Sequence, residues 1–361
     1  MSAQPHVQSY AVIGEIDPRL TDLVRDLSAA FDAVGFTPDG EAKDAGIVIN
    51  AVDPAAPQPF RRGARGTFVA ALYVQDNEPA DGLKETYPML VRALANIVLL
   101  YVPGSGVYFT TMERGHYHVR EGAGASLGEA VFDRLRPLAT SRLVIDNEFR
   151  PDLEPELWDG DDKTEEMKAV GRRLDDLGLL PAPFPIEELL SERELRHVQR
   201  LYGIGGLSYG NLSARLDDNR FWMSASGVDK GKLETPGRDI LLVTGYEPDA
   251  ARMILSVPPG IEPRRVSVDA IEHWMIYQHH PNVGAILHVH AWMDGIPATD
   301  VNFPCGTAEL ADSVSKLIDA EPDPAHAVIG LRNHGITATG ENLDEILDRI
   351  LPRLQLQVPM T

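Results

Sequence analysis

The sequence predicts an α/β protein of two domains, and three observations lead there. Short β-rich runs alternate with helix-spaced segments over residues 1–150. A Pro- and acid-rich stretch at 151–164 then interrupts the pattern, and two later apolar runs end in histidines. A chain of 361 residues has room for two domains of about 100–200 residues each. Its 43% apolar and 24% charged content is a globular balance that can bury a core.

In the first domain, "YAVIGEI" (10–16) reads as a strand and "PRLTDLVRDLSAAFDAVGF" (18–36) has helical spacing. Three β-rich runs follow at 45–52, 66–74 and 96–104, then a helix at 127–139 and a strand at 141–149. Alternation of this kind favours a Rossmann-like layer, with helices covering a mostly parallel sheet. The turn after the first strand is Gly14-Glu15-Ile16-Asp17, without the glycine spacing that lets a backbone approach a pyrophosphate, so no dinucleotide site is expected. "GSG" at 104–106 is weak evidence alone.

Residues 151–164 read as a linker, since Pro, Asp and Glu dominate and apolar periodicity is lost. The second domain, 165–361, opens with an amphipathic helix at 165–180 and a second helix at 186–205. "GNLSARL", "RFWMSASG" and "DILLVTG" are short strands or turns, and a helix runs from about Val268 to His279.

Acidic residues outnumber basic ones, 54 to 33, giving a formal charge of -21 that repels phosphate backbones and anionic lipids. Nucleic-acid and membrane partners are therefore not expected, and a small-molecule substrate is. The longest apolar stretch, Ala93 to Val102, is about half of the roughly 20 residues of a membrane span. A single cysteine, Cys305, rules out an intramolecular disulfide and suits a reducing cytoplasm.

The chemistry concentrates in three places. "HVHA" (288–291) ends an apolar run, and residues two apart on a strand face the same way, so His288 and His290 stand side by side. They are polar residues at a strand end or half of a metal clamp. "AVIGLRNHGI" (327–336) is another β-rich run ending in a histidine, where Gly335 would permit a sharp turn that leaves His334 at the mouth of a neighbouring strand. Three imidazoles with an open fourth position describe a catalytic zinc-type site better than a closed structural one. Third, Asp269 falls in the first turn of the helix before Pro281. It either answers the helix dipole, with Ser267 as cap, or serves as a general acid/base. His273 lies one turn on and could orient the pocket or pack. Glu272 is a rival carboxylate, about 300° around the helix from Asp269 at roughly 100° per residue.

Taken in order, "GGLSYGNLSAR" (205–215), "SASGVDKGKL" (224–233), Asp269, "HVHA" and "NHG" (333–335) resemble the class II aldolase/adducin family over about residues 165–355. The resemblance implies an α/β/α domain with a central, largely antiparallel sheet. It implies a divalent ion, Zn2+ or another transition ion such as Mn2+, Co2+ or Fe2+, held by His288, His290 and His334. Asp269 takes the acid/base position, where the aldolases carry glutamate. A phosphate pocket falls on Gly210, Asn211, Ser226, Gly227 and Ser267, with Val268 in place of a usual second serine. The implied activity is metal-dependent lyase chemistry, aldol-type cleavage of a small hydroxycarbonyl compound through a metal-stabilised enediolate. An epimerase or decarboxylase on the same site is the alternative, as is a non-catalytic, adducin-like binding protein. The family also implies a homo-oligomer, a tetramer.

Overall fold

The computed structural model describes residues 8–43, 45–62, 67–111, 115–122, 126–180, 190–196 and 209–361. The helix expected at 186–205 lies, except for 190–196, outside them. Two compact units divide the chain, the first ending its main segment at Ser141 and the second beginning at Arg142.

The first unit holds strands β1 (Ser9–Gly14), β2 (Thr37–Pro38), β3 (Ile47–Ala51), β4 (Phe68–Val74), β5 (Ile97–Val102), β6 (Gly106–Thr111) and β7 (His116–Arg120). Helices α1 (Thr21–Ala33), α2 (Gly82–Ala93) and α3 (Leu127–Thr140) accompany them. The sheet order is β2-β1-β3-β4-β5-β6-β7; pairings are parallel as far as β5, and β6 and β7 are antiparallel. Strands β3 and β4 are buried along their whole length, as strands covered on both faces should be. Helix α1 turns Leu23, Val24, Leu27 and Phe31 inward, and Phe31 stacks on Tyr10 at 4.8 Å and meets Phe132 edge-on at 4.9 Å.

The glycines that bore on a dinucleotide site have structural reasons. A side chain on Gly14 would strike the Ala51 carbonyl, so the residue lets β1 and β3 close up. Gly104 and Gly106, both at positive φ, form the tight β5–β6 hairpin. Sequence patterning missed α2, whose interior contains Pro88, and the β6–β7 hairpin.

The second unit is one eight-stranded sheet, β14-β15-β13-β9-β10-β11-β12-β8. Its strands are β8 (Asp146–Arg150), β9 (Asn211–Arg215), β10 (Phe221–Ser224), β11 (Ile240–Glu247), β12 (Arg252–Ser256), β13 (Ala285–Val289), β14 (Val328–Leu331) and β15 (Gly335–Gly340). All pairings are antiparallel except β12 with β8. Helices α4 (Asp162–Asp176), α5 (Ala270–His279), α6 (Ala308–Asp319) and α7 (Leu343–Ile350) pack around it.

Two expectations about domain limits are corrected here. The segment at 141–149 was expected to close the first domain, yet β8 pairs with β12 of the second sheet, so the boundary falls before Arg142 and not at 150. Residues 151–164 are no tether either: Leu153 is buried, Trp158 donates its indole N–H to the Leu153 carbonyl, and Asp161 caps α4 and accepts from Trp222. Composition misled because prolines and carboxylates that suit a solvated connection also suit turns and helix N-caps.

Among the described residues no helix is long and apolar enough to cross a membrane.

Candidate metal centre

Three adjacent strands build the floor of the site. In register, His288 of β13 lies between Asn211 of β9 and Thr337 of β15. Residues directly opposite in neighbouring strands face the same side, so the three make a buried polar row across the sheet. The N-terminal turn of α5 lies over that row. Asn211 donates its amide to the Asp269 carboxylate at 2.8 Å, and Thr337 donates its hydroxyl to Glu272 at 2.6 Å.

His290 follows β13 directly and His334 precedes β15, which bring their rings to His288. Ring centroids are 5.1 Å apart for His288–His290, 4.7 Å for His288–His334 and 4.6 Å for His290–His334. The turn at His334 differs from expectation. Asn333, not Gly335, takes the left-handed conformation, at φ 59°. Gly335 is required for a different reason: a β-carbon there would lie 2.3 Å from the Val289 carbonyl oxygen, so the glycine permits the close pairing of β15 with the end of β13.

The imidazoles fit a divalent ion. One ligating nitrogen from each lies within 4.8 Å of the others, and the His290 and His334 Nε2 atoms are 3.1 Å apart. Two nitrogens bound at about 2.0 Å to a tetrahedral ion are about 3.3 Å apart. His288 Nδ1 is 3.0 Å from the Ile336 carbonyl, which can only accept, so Nδ1 carries the proton and Nε2 carries the lone pair. That Nε2 is buried and has no hydrogen-bond partner among the described residues, an arrangement that costs about 1–3 kcal/mol unless a ligand fills it. Burial also lowers the His288 and His334 pKa values, the latter well below the usual range, which keeps both rings neutral as metal ligation demands.

Asp269 is the N-cap residue of α5 but makes no side-chain cap bond, and Ser267 does not cap the helix. Its carboxylate is spent on Asn211 instead. Burial raises its pKa, against the opposing pull of His288, the Asn211 amide, the Gly306 backbone N–H and the Lys230 ammonium. Asn211, assigned by resemblance to a phosphate pocket, thus orients the carboxylate, while its own buried Oδ1 has no partner among the described residues.

The placement of Glu272 is a second correction. A rotation of 300° one way is 60° the other, so the two carboxylates share one side of the helix. Burial and the Asp269 charge push the Glu272 pKa up to about 8. His273, fully buried and 2.7 Å from Ser213 Oγ, is pushed down to about 3 by burial, and Ser213 also meets Tyr277 at 2.8 Å.

The Glu272 shift has a measurable consequence. Unfolded, this carboxyl loses its proton near 4.5, but folded it keeps the proton to about 8, so across that window the native state binds more protons and stability falls as pH rises. Glu272→Gln keeps a neutral partner for Thr337 and removes that slope. The urea midpoint of the variant is expected to gain on that of the parent from pH 5 to pH 9, and a gap that does not change with pH defeats the assignment.

The small residues adjoin the same corner. Gly210, at φ 74°, allows β9 to start against β13, since a β-carbon there would lie 2.5 Å from the His288 carbonyl oxygen. Ser226 N–H donates to the Arg265 carbonyl at 2.8 Å, Gly227 turns the chain at φ 69°, and Ser267 N–H donates to the Ser224 carbonyl at 3.1 Å. Sequence reasoning passed over Lys230, which is buried and drawn electrostatically to Asp269 and Asp229, with burial lowering its pKa to about 8. Its signal lay in the quoted "SGVDKGKL". Cys305 lies 3.4 Å from His334 Nε2, a placement that a single cysteine in a sequence does not announce.

Residues 195–298 match the family described as Class II Aldolase and Adducin N-terminal domain. Over 82 residues the chain is 40% identical to a methylthioribulose-1-phosphate dehydratase of Pectobacterium atrosepticum, covering 23% of this chain and 34% of that protein. Over 106 residues it is 33% identical to a protein of the same name from Pseudomonas aeruginosa, covering 29% and 46%. The chain thus spans about a third to a half of the length of these relatives. Among solved structures, an L-fuculose 1-phosphate aldolase is similar at TM-score 0.37 and 17% identity, over 54% of this chain and 83% of that one. An aldolase II superfamily protein from Pseudomonas syringae is similar at TM-score 0.37 and 15% identity, over 55% and 75%.

Proposed function

We propose, for a chain whose residues 195–298 carry a class II aldolase and adducin N-terminal domain, that it is a metal-dependent lyase acting on a small hydroxycarbonyl compound with an anionic end. The observation behind this is the buried row Asn211–His288–Thr337 under Asp269, beside the rings of His290 and His334. His288, His290 and His334 would hold zinc or another divalent transition ion, which supplies Lewis-acid stabilisation of charge on a carbonyl oxygen. Asp269 moves a proton at the carbon next to that carbonyl, and Asn211 fixes which carboxylate oxygen faces it. The hydroxyls of Ser226 and Ser267, whose own backbone N–H groups are bonded to the Arg265 and Ser224 carbonyls, and the backbone at Gly227, with Gly210 beside it, are groups of the kind that receive an oxyanion. Lys230 adds a buried positive charge to that corner.

Two bond-breaking outcomes share this machinery. Aldol-type cleavage breaks a carbon–carbon bond and releases two carbonyl fragments. The names of the Pectobacterium and Pseudomonas relatives favour a second reading, loss of water from a phosphorylated ketose. Metal-loaded protein incubated with ketose 1-phosphates, with products followed by mass, separates them: cleavage yields two smaller carbonyl compounds, and dehydration yields one product lighter by a water. Mass-neutral change at a stereocentre indicates an epimerase. No metal-dependent change with any hydroxycarbonyl phosphate rejects the lyase reading and favours a binding protein.

A further inference from the structure

Two carboxyl groups at the start of α5 are anchored to the sheet on either side of His288. Asp269 accepts the Asn211 amide N–H through Oδ2 at 2.8 Å, and Glu272 accepts the Thr337 hydroxyl through Oε1 at 2.6 Å. Asn211 and Thr337 flank His288 in register, so both carboxyls are tied to one row. Their backbones are tied as well, since the Glu272 N–H donates to the Asp269 carbonyl at 2.9 Å. Residues three apart on a helix have β-carbons about 5–6 Å apart, within reach of each other's side chains.

Each carboxyl is only half satisfied. Asp269 Oδ1 and Glu272 Oε2 are buried without a hydrogen-bond partner among the described residues, on residues 7% and 2% exposed. The Gly306 backbone N–H lies toward the Asp269 carboxylate without closing a hydrogen bond to Oδ1. Two orphaned oxygens one turn apart on the same side of a helix satisfy each other when a single proton lies between them. Two charges there are excluded, because like charges this close and this buried do not both ionise. The charge falls on Asp269, where Lys230 and His288 favour the anion, while the Asp269 charge and burial hold the proton on Glu272. Thr337 donates to Oε1, which leaves Oε2 to carry that proton.

We propose that Glu272 is the positioning residue of Asp269: its carboxylic acid O–H donates to Asp269 Oδ1, so that the pair carries one proton and one negative charge. This rests on the lyase reading above, in which Asp269 moves the proton at carbon, and deepens it by naming what aims that carboxylate. An O–H···O⁻ bond of this kind is short and strong. With Asn211 on Oδ2 and Glu272 on Oδ1, both oxygens are fixed and the plane of the carboxylate does not turn. Asp269 takes the substrate proton on a remaining lone pair and returns it, and Glu272 keeps its own proton throughout. Misplacing such a group by about 1 Å costs on the order of 100-fold in rate, a loss that falls on kcat and not on binding.

Infrared spectroscopy tests the pairing without any turnover. Difference spectra of the full-length protein at neutral pH are expected to show the C=O stretch of a protonated carboxyl in the parent and none in Glu272→Gln. In Asp269→Asn the same band shifts or disappears, because its acceptor has lost its charge. No such band in the parent, its survival in Glu272→Gln, or an unchanged band in Asp269→Asn overturns the proposal. Kinetics test the positioning, on whichever hydroxycarbonyl phosphate the parent turns over. Glu272→Leu removes the donor and is expected to lower kcat by about 100-fold, with KM and bound metal near parental. Glu272→Gln, whose amide N–H can donate to Asp269, recovers most of that loss. Parental kcat in Glu272→Leu, or equal losses in both variants, overturns the positioning role. Absence of turnover in the parent defeats the lyase reading alone, and the infrared comparison then decides whether the carboxyls pair. It decides equally should the leucine variant not fold.

Discussion

In a His288→Ala, His290→Ala double variant, bound divalent metal is expected to fall from about one ion per chain to background. Even residues that merely orient metal ligands cost about 10–100-fold in affinity when removed, and this change removes two ligands outright. His334 alone then remains of the three. The apolar side of β13, with Leu287 and Val289 fully buried, is untouched. The fold should therefore survive, at a cost of a few kcal/mol for the space left at the buried His288. Metal analysis after dialysis, read beside a thermal melt, gives the answer. Full metal content in a folded double variant would place the ion elsewhere and remove these imidazoles from the chemistry.

Asp269→Asn is expected to keep the metal and lose turnover by about 100- to 10,000-fold, the range over which a positioned acid/base acts. The amide fills the same volume beside Asn211 but cannot take a proton. The pH profile of the parent adds a directional test. Burial holds the Asp269 pKa above the ordinary aspartate value, so its basic form, and any rate that depends on it, grows with pH through a correspondingly raised range. The acid limb of kcat/KM should lie above the usual aspartate titration and vanish in the asparagine variant. Metal-loaded Asp269→Asn with parental turnover would move the proton-transfer role to another group, and Glu272 would be the first to examine.

Particular residues show what was legible in the sequence. The runs at 45–52, 66–74 and 96–104 announced β3, β4 and β5 because continuous apolar, β-branched stretches have few other stable fates. The histidines 288, 290 and 334 stood out because each ends such a run. Their meeting depends on β13 pairing with β15, which aligns residues about 50 positions apart. The same limit hid which sheet the strand read at 141–149 joins, since the partner of β8, β12, lies about 100 residues downstream, and it made a packed turn at 151–164 look like a tether.

By itself the sequence determined the alternation of strands and helices, the acidic surface, the family-like order of motifs and the identity of the three imidazoles. Only the tertiary structure decided that Asn211 serves Asp269, that Glu272 is buried beside it as a largely neutral acid, and that Cys305 touches His334. The reason is physical. Periodicity and turn chemistry act between near neighbours in the chain, whereas a side chain's partners and its proton affinity depend on burial and charge contributed by strands that only folding brings together.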